Sequence, residues 1–236
     1  MQSPDGGQTW QRANGNPITL PARPEDMDIL ALDTQSSRHE DKPPPEILAQ
    51  GSIAVDSEGA PHVLFVSHLD EPGALILAKT NEQGEWSDQQ IGTLEQAYPQ
   101  ERPVYPRGSF SITEDDQLHA LLELIPLGDG WTADGKPMRG IGDAPGKRLA
   151  WLDLGDGSGT FAAEAALEEG TVFNELNVER PMGVNTVAAG TRPSYVYFDG
   201  LKRYPNSGEV IQNNVYFVHG ESVVPDRKLF IPKEAR

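Results

Sequence analysis

The sequence predicts an all-β chain of repeated four-stranded antiparallel units, and three observations carry that prediction. Glycine (24) and proline (20) together approach a fifth of the 236 residues, a mix that suits short strands joined by turns and not long helices. Residues 51–64 and 108–121 align without gaps through their first dozen positions, at an offset of 57 residues. Each reads as strand, acidic or glycine-containing turn, strand, with alternating faces. A second strand pair follows each hairpin, which gives four strands per unit. Four strands repeating at this spacing, with an aromatic residue in the fourth, make the pattern of a β-propeller blade.

The elements follow in order. The chain opens on Ser3-Pro4-Asp5-Gly6-Gly7-Gln8-Thr9-Trp10, an S-x-D-G-G-x-T-W string that resembles the Asp-box of sialidase-type β-propellers. The resemblance implies a turn between the third and fourth strands of a blade. Its Asp and Thr side chains bond within the turn, its glycines supply positive φ, and its Trp packs between blades. Asp5 and Thr9 are therefore expected to be structural. Strands that should precede such a turn have no room before residue 3, so the chain is expected to be the C-terminal part of a longer ring.

In the first full unit the hairpin of 51–64 is followed by 75–79, the turn Asn81-Glu82-Gln83-Gly84, and Trp86. In the second, 108–121 is followed by 149–153, the turn 155–159, and Phe161. The third unit is less regular; 193–198 and 214–219 are its clearest strands, with a last strand near 229–231. With the half unit at the N-terminus, this makes about three and a half blades of a six- or seven-bladed ring. The expected organisation is one partial propeller, divided as 1–35, 36–97, 98–170 and 171–236. An open half ring leaves sheet edges and inter-blade faces uncovered, so the chain alone is expected to be poorly stable or to dimerise.

Charge narrows the partners. Asp and Glu number 36 against 19 Lys and Arg, a net charge of −17, which disfavours nucleic acid and anionic membranes through bulk attraction. No apolar run approaches the ~18 residues of a membrane span. The first 20 residues lack the basic start and apolar core of a signal peptide. There is no cysteine, hence no disulfide and no thiolate metal site. No EF-hand spacing or zinc-type His pair is present, so no metal and no cofactor is predicted. The acidic stretches Asp115-Asp116 and 153–156 read as solvated turns as readily as they read as cation ligands.

A propeller binds ligands at the mouth of its channel, built by the loops leading into the innermost strands and those joining the second and third strands. His62 and His119 occupy the same repeat position away from that mouth, where packing and a hydrogen bond explain them better than catalysis. Gln50 and Arg107 directly precede the two Gly-Ser pairs that open innermost strands. The loops before them carry Arg38, His39 and Lys42, and Tyr98 to Pro106 including Tyr105. The second-to-third loops carry His68, a 22-residue stretch from Pro126 to Lys147 that includes Arg139, and Lys202-Arg203-Tyr204. Ten of the 19 basic residues (Arg38, Lys42, Arg107, Lys136, Arg139, Lys147, Arg148, Arg180, Lys202, Arg203) fall on these mouth-side segments. Such gathering fits an anionic ligand held by guanidinium forks, and equally the general polarity of long loops.

Three features extend the resemblance to the whole chain: the Asp-box with Pro17-Ile18-Thr19-Leu20-Pro21 behind it, the segment from Gln50-Gly51-Ser52 to His62, and Asn213-Asn214-Val215-Tyr216-Phe217. With them the chain resembles BNR-repeat propellers of the ulvan-lyase type, which cleave uronate-containing polysaccharide. That resemblance implies β-elimination. A base takes the proton α to the carboxylate, an acid protonates the leaving oxygen, and cations neutralise the carboxylate. It also implies that the principal acid and base lie largely in blades outside this chain, and that the full-length protein is extracellular or periplasmic. In this half, Arg107 is the first choice for neutralisation, with Tyr105, His39 and His68 as the mouth-side groups for proton transfer. Arg38, Arg139, Arg203, Tyr204 and Gln50 are expected to bind substrate. Two other readings stay open: a sialidase-like glycoside hydrolase and a non-catalytic carbohydrate-binding propeller.

Overall fold

Residues 1–28, 30, 52–67, 74–91, 100–103, 110–127, 148–154, 160–166, 172–178, 187–202, 210–220 and 227–228 are described in the computed structural model. Among them the chain is all-β, apart from one 3-10 turn at Pro24–Asp26. The strands form several antiparallel sheets, none of which closes on itself.

The N-terminal unit is a small hairpin of β1 (Trp10–Gln11) and β2 (Pro17–Ile18). In front of it the Asp-box turn closes on Asp5. The Asp5 Oδ1 accepts from the amides of Gln8 (3.0 Å) and Thr9 (2.8 Å), and Oδ2 accepts from the Thr9 hydroxyl (2.7 Å). Ser3 Oγ accepts from the Gly7 amide at 2.6 Å. The turn needs left-handed backbone at Gly6 and Gly7, with φ of 70° and 96°. Gln2 and Gln11 then exchange two backbone hydrogen bonds, which fixes the motif as a stapled loop.

The first sheet runs β3 (Ser52–Val55), β4 (Pro61–Ser67), β5 (Ala74–Thr80) and β6 (Trp86–Gln90), each antiparallel to the next. The second centres on the nine-residue β9 (Leu118–Pro126), which pairs with β10 (Arg148–Asp153), itself paired with β11 (Thr160–Ala166). The other edge of β9 is shared. Its first residues pair with β8 (Phe110–Ile112) and its last with β7 (Glu101–Pro103). Strand β7 corrects the sequence reading, which placed 98–106 wholly in a loop. Three prolines in nine residues read as loop, yet Pro103 closes a three-residue strand on an edge, where a missing N–H costs little. The third sheet runs β12 (Val172–Val178), β13 (Tyr195–Lys202), β14 (Val210–Val218) and β15 (Arg227–Lys228). The expected last strand at 229–231 lies outside the described residues.

Four hairpin turns share one construction. In 12–16, 56–60, 81–85 and 113–117, the first residue's N–H donates to the fifth residue's C=O, and the fourth residue's N–H donates back to the first. This is a type I turn closed by a bulge whose fourth residue must be left-handed. Side chains at the first position reinforce three of them. Asp56 Oδ1 accepts from Ala60 N at 2.7 Å, Asn81 Oδ1 from Glu85 N at 2.9 Å, and Thr113 Oγ1 from Gln117 N at 3.1 Å.

Sheets one and two pack face to face. Ala54, Leu64, Val66, Leu75 and Leu77 meet Phe110, Ile112, Leu118, Ala120, Leu122, Leu124, Ala150 and Leu152 in one cluster. The opposite face of the second sheet presents Leu121, Leu149 and Trp151 to Tyr195, Tyr197 and Val218 of the third. Strands β9 and β10 therefore bury side chains on both faces, and β9 reads as a nearly continuous apolar run because each side is covered by a neighbouring sheet. A buried leucine contributes about 1.5–3 kcal/mol, whereas a typical hydrogen bond contributes about 1 kcal/mol. The faces hold the sheets together; the turns decide their register.

Candidate functional site

The nine residues nominated from sequence, Arg38, His39, Gln50, His68, Tyr105, Arg107, Arg139, Arg203 and Tyr204, all lie outside the described residues. Of the ten mouth-side basic residues only Arg148 and Lys202 are described, as the first residue of β10 and the last of β13. Arg148 sits at the end of the second sheet opposite the short turn 113–117, paired with Leu124 near the far end of β9, and Lys202 ends β13, paired with Val210.

At the turn ends, the two repeat histidines behave as their shared position predicts. His62 Nε2 lies 3.0 Å from Asp56 Oδ2, and His119 Nδ1 lies 2.6 Å from Asp153 Oδ1. Each reaches a carboxylate, but by a different ring nitrogen and a different partner. Asp56 stands on the same hairpin as its histidine, six residues earlier, whereas Asp153 comes across the sheet from β10. Both histidine side chains are mostly buried.

Asp153 opens the acidic stretch 153–156, which reads equally as solvated turn or cation ligand, and its carboxylate is taken up by side chains of this chain. Its Oδ1 also accepts from Trp151 Nε1 at 2.7 Å, and Oδ2 lies 3.9 Å from Arg192 Nη2. Because an ionised carboxylate only accepts, the short contact assigns the proton on His119 to Nδ1. Arg192 in turn stacks over the Trp151 ring, 4.9 Å from its centroid. From Trp151 the rings of Tyr195, Tyr197 and Tyr216 continue as a stack, at centroid spacings of 5.8, 6.2 and 4.9 Å. Burial opposes ionisation of Asp153, but the bonds from His119 and Trp151 outweigh it and hold the carboxyl below its usual range. Sequence reasoning passed over Asp153 and Arg192 because their partners lie across strands; a partner for His119 could be sought only on the neighbouring strand.

Two clefts flank the first sheet. One, of about 280 Å³, lies between the N-terminal segment (Met1, Gln2, Ala13, Asp28, Leu30) and the outer face of sheet one (Ile53, Val55, Pro61, Val63, Trp86). Its walls are mainly apolar, and the Trp86 Nε1 at its side is buried without a partner. It offers contact surface and a single carboxylate, Asp28, which already accepts from the Ala13 amide at 3.1 Å. The other cleft, about 750 Å³, runs over the turns past Asp56, Glu58, His62, Lys79, Asn81 and Glu82. It is polar and carries both signs of charge, but its His–Asp pair is closed on itself. Among the described residues no three His, Asp or Glu side chains gather as a metal site would require.

No curated protein and no solved structure matches the chain. Residues 1–94, which span the Asp-box turn, the N-terminal hairpin and the first four-stranded sheet, match the model of a BNR repeat-containing family member, and this part of the chain accordingly carries the BNR-repeat pattern that its S-x-D-G-G-x-T-W string announces.

Proposed function

We propose that the chain is part of a sialidase-like β-propeller that binds uronate-containing polysaccharide and that, in the complete ring, cleaves it by β-elimination. The observation that carries the architecture is the middle sheet, covered on one face by the sheet before it and on the other by the sheet after. Successive antiparallel sheets stacked through opposite faces are how blades follow one another around an axis. The Asp-box bonding and the BNR match over 1–94 support the same reading. In it, the ends of β4, β9 and β13 point to the mouth, and Arg107, Tyr105, His39 and His68 act there, with Arg38, Arg139, Arg203, Tyr204 and Gln50 binding the polymer. The half-exposed Ile53 and Val55 on the outer face of sheet one suit a preceding blade of the same protein. Such a polymer lies outside cells, so we place the full-length protein in the periplasm or beyond it.

One observation favours a binding propeller without catalysis. Among the described residues, His62 and His119 each give one ring nitrogen to a carboxylate of the same fold, Asp56 and Asp153, which suits a structural part better than proton transfer. The two readings separate by ultraviolet absorbance of the unsaturated product, followed with ulvan and other uronate polymers. The trace should stay flat with this chain and rise with a protein extended at its N-terminus by the further blades. A flat trace from a well-folded extended protein that still retains the polymer on an affinity gel would move the assignment to binding alone.

A further inference from the structure

We propose that the turn 113–117 is a clamp that sets the register of three successive sheets, and that Asp116 is kept there, against its own backbone preference, because its carboxylate grips the sheet before it. Of the four turns built alike, three place glycine at the left-handed fourth position: Gly15, Gly59 and Gly84, with φ of 82°, 85° and 72°. The fourth places Asp116 there, with φ of 59°. Among the described residues it is the one non-glycine residue with positive φ. A side chain in that region costs conformational energy that glycine avoids.

The carboxylate supplies a reason. Asp116 Oδ1 accepts from the Ser57 amide at 2.8 Å and Oδ2 from the Ser57 hydroxyl at 2.7 Å. Ser57 sits inside the equivalent turn of the first sheet, 59 residues away in sequence. Two charge-assisted bonds to one residue define an orientation as well as a distance. The same turn holds the chain on its other side, where the Glu114 amide donates to the carbonyl of Val187, in the segment that leads into β13, at 2.8 Å. Asp115 beside it, although exposed, accepts from the Thr113 hydroxyl of its own turn at 2.6 Å, which leaves the Asp116 carboxylate as the one directed at sheet one. Apolar faces slide over one another at small cost, so two directional bonds at one end decide which hairpin lies against which.

The test exploits a sign. At a left-handed position whose side chain does nothing, Asp→Gly is neutral or stabilising. In the full 236-residue chain, Asp116→Gly should instead lower the urea midpoint. By hydrogen exchange it should also speed exchange of the Ser57 amide about tenfold or more, the amount expected for losing a charged acceptor. The amides of Asp116 and Gln117 report the turn itself and should keep their protection. Ser57→Ala should lower the midpoint in the parent and have little further effect in Asp116→Gly. An unchanged or raised midpoint with unaltered Ser57 exchange in Asp116→Gly overturns the proposal. Should that variant not fold, Asp116→Asn serves, since it tolerates the left-handed region and keeps one weaker acceptor. Ser57 exchange between the parent and unprotected rates supports the clamp, and exchange equal to the parent overturns it.

Discussion

Asp153 draws donors from three directions, and its neighbours show how single carboxylates govern this chain's response to acid. Asp5 is held below the usual carboxylate range first by the Thr9 amide, Asp115 by the Thr113 hydroxyl, and Asp56 by His62 and the Ala60 amide against the opposing pull of burial. All four shifts run downward in the folded state. A lowered folded value means that the unfolded chain takes up protons first, so stability is full above the ordinary Asp value near about 4 and is lost as pH falls through the depressed values. Urea midpoints should therefore be flat between about pH 5 and 7 and fall steadily below about 4. Replacing Asp153 should flatten part of that fall. Asp153→Ala should also cost about 1–3 kcal/mol at neutral pH, because it strands the fully buried Trp151 indole N–H. A loss no larger than a surface substitution, about 0.5 kcal/mol, would mean that the His119–Asp153–Trp151 cluster is ornamental.

At the scale of elements, the hairpins show how much of the local structure can be read in advance. Acidic or amide residues followed by glycine between alternating apolar runs announce 56–60 and 81–85, and both turns form as the pattern requires. The turn 113–117 was readable as a turn, but its Asp116 at the glycine position was not, since the partner that justifies it lies in another sheet. Gly84 makes the same point from the other side. Its φ of 72° is a local demand, yet a Cβ there would also stand 2.2 Å from the Ala13 carbonyl oxygen of the N-terminal hairpin. Strain and collision with rigid backbone add, so Gly84→Ala should cost more than the ~1 kcal/mol of an ordinary left-handed glycine. Gly59 has a similar φ and nothing within reach of a Cβ, so Gly59→Ala supplies the control. Equal melting-temperature losses for the two variants would show that the close approach at Gly84 does not restrain the hairpin.

For the whole molecule, the decisive fact is which faces are covered. The described side chains of β9 and β10 are mostly buried on both faces, while the first sheet leaves Ile53 at 53% and Val55 at 50% exposure on its outer face. The 57-residue repeat foretold units that stack, and their stacking through opposite faces follows from apolar residues on both sides of β9. In this chain alone Ile53→Ser should change stability by no more than about 0.5 kcal/mol, as for a surface position. In a protein extended by a preceding blade, the same change should cost about 1 kcal/mol or more, as for a core position. Paired denaturation curves of the two proteins give the comparison. Equal effects in both would remove the assignment of that face to a blade.

The sequence by itself determined the class of structure, the Asp-box turn, the positions of most strands in the first two units, and the structural role of His62 and His119. These depend on period-two alternation, turn chemistry and repetition, all of which act between residues near in sequence or at a fixed offset. Only the tertiary structure decided that β7 joins the second sheet, that Asp153 and Arg192 close around Trp151, and that Asp116 reaches Ser57. Those contacts bring together groups tens of residues apart, whose partners are chosen by which faces stack and where the strands end. A chain read one residue at a time carries no record of either.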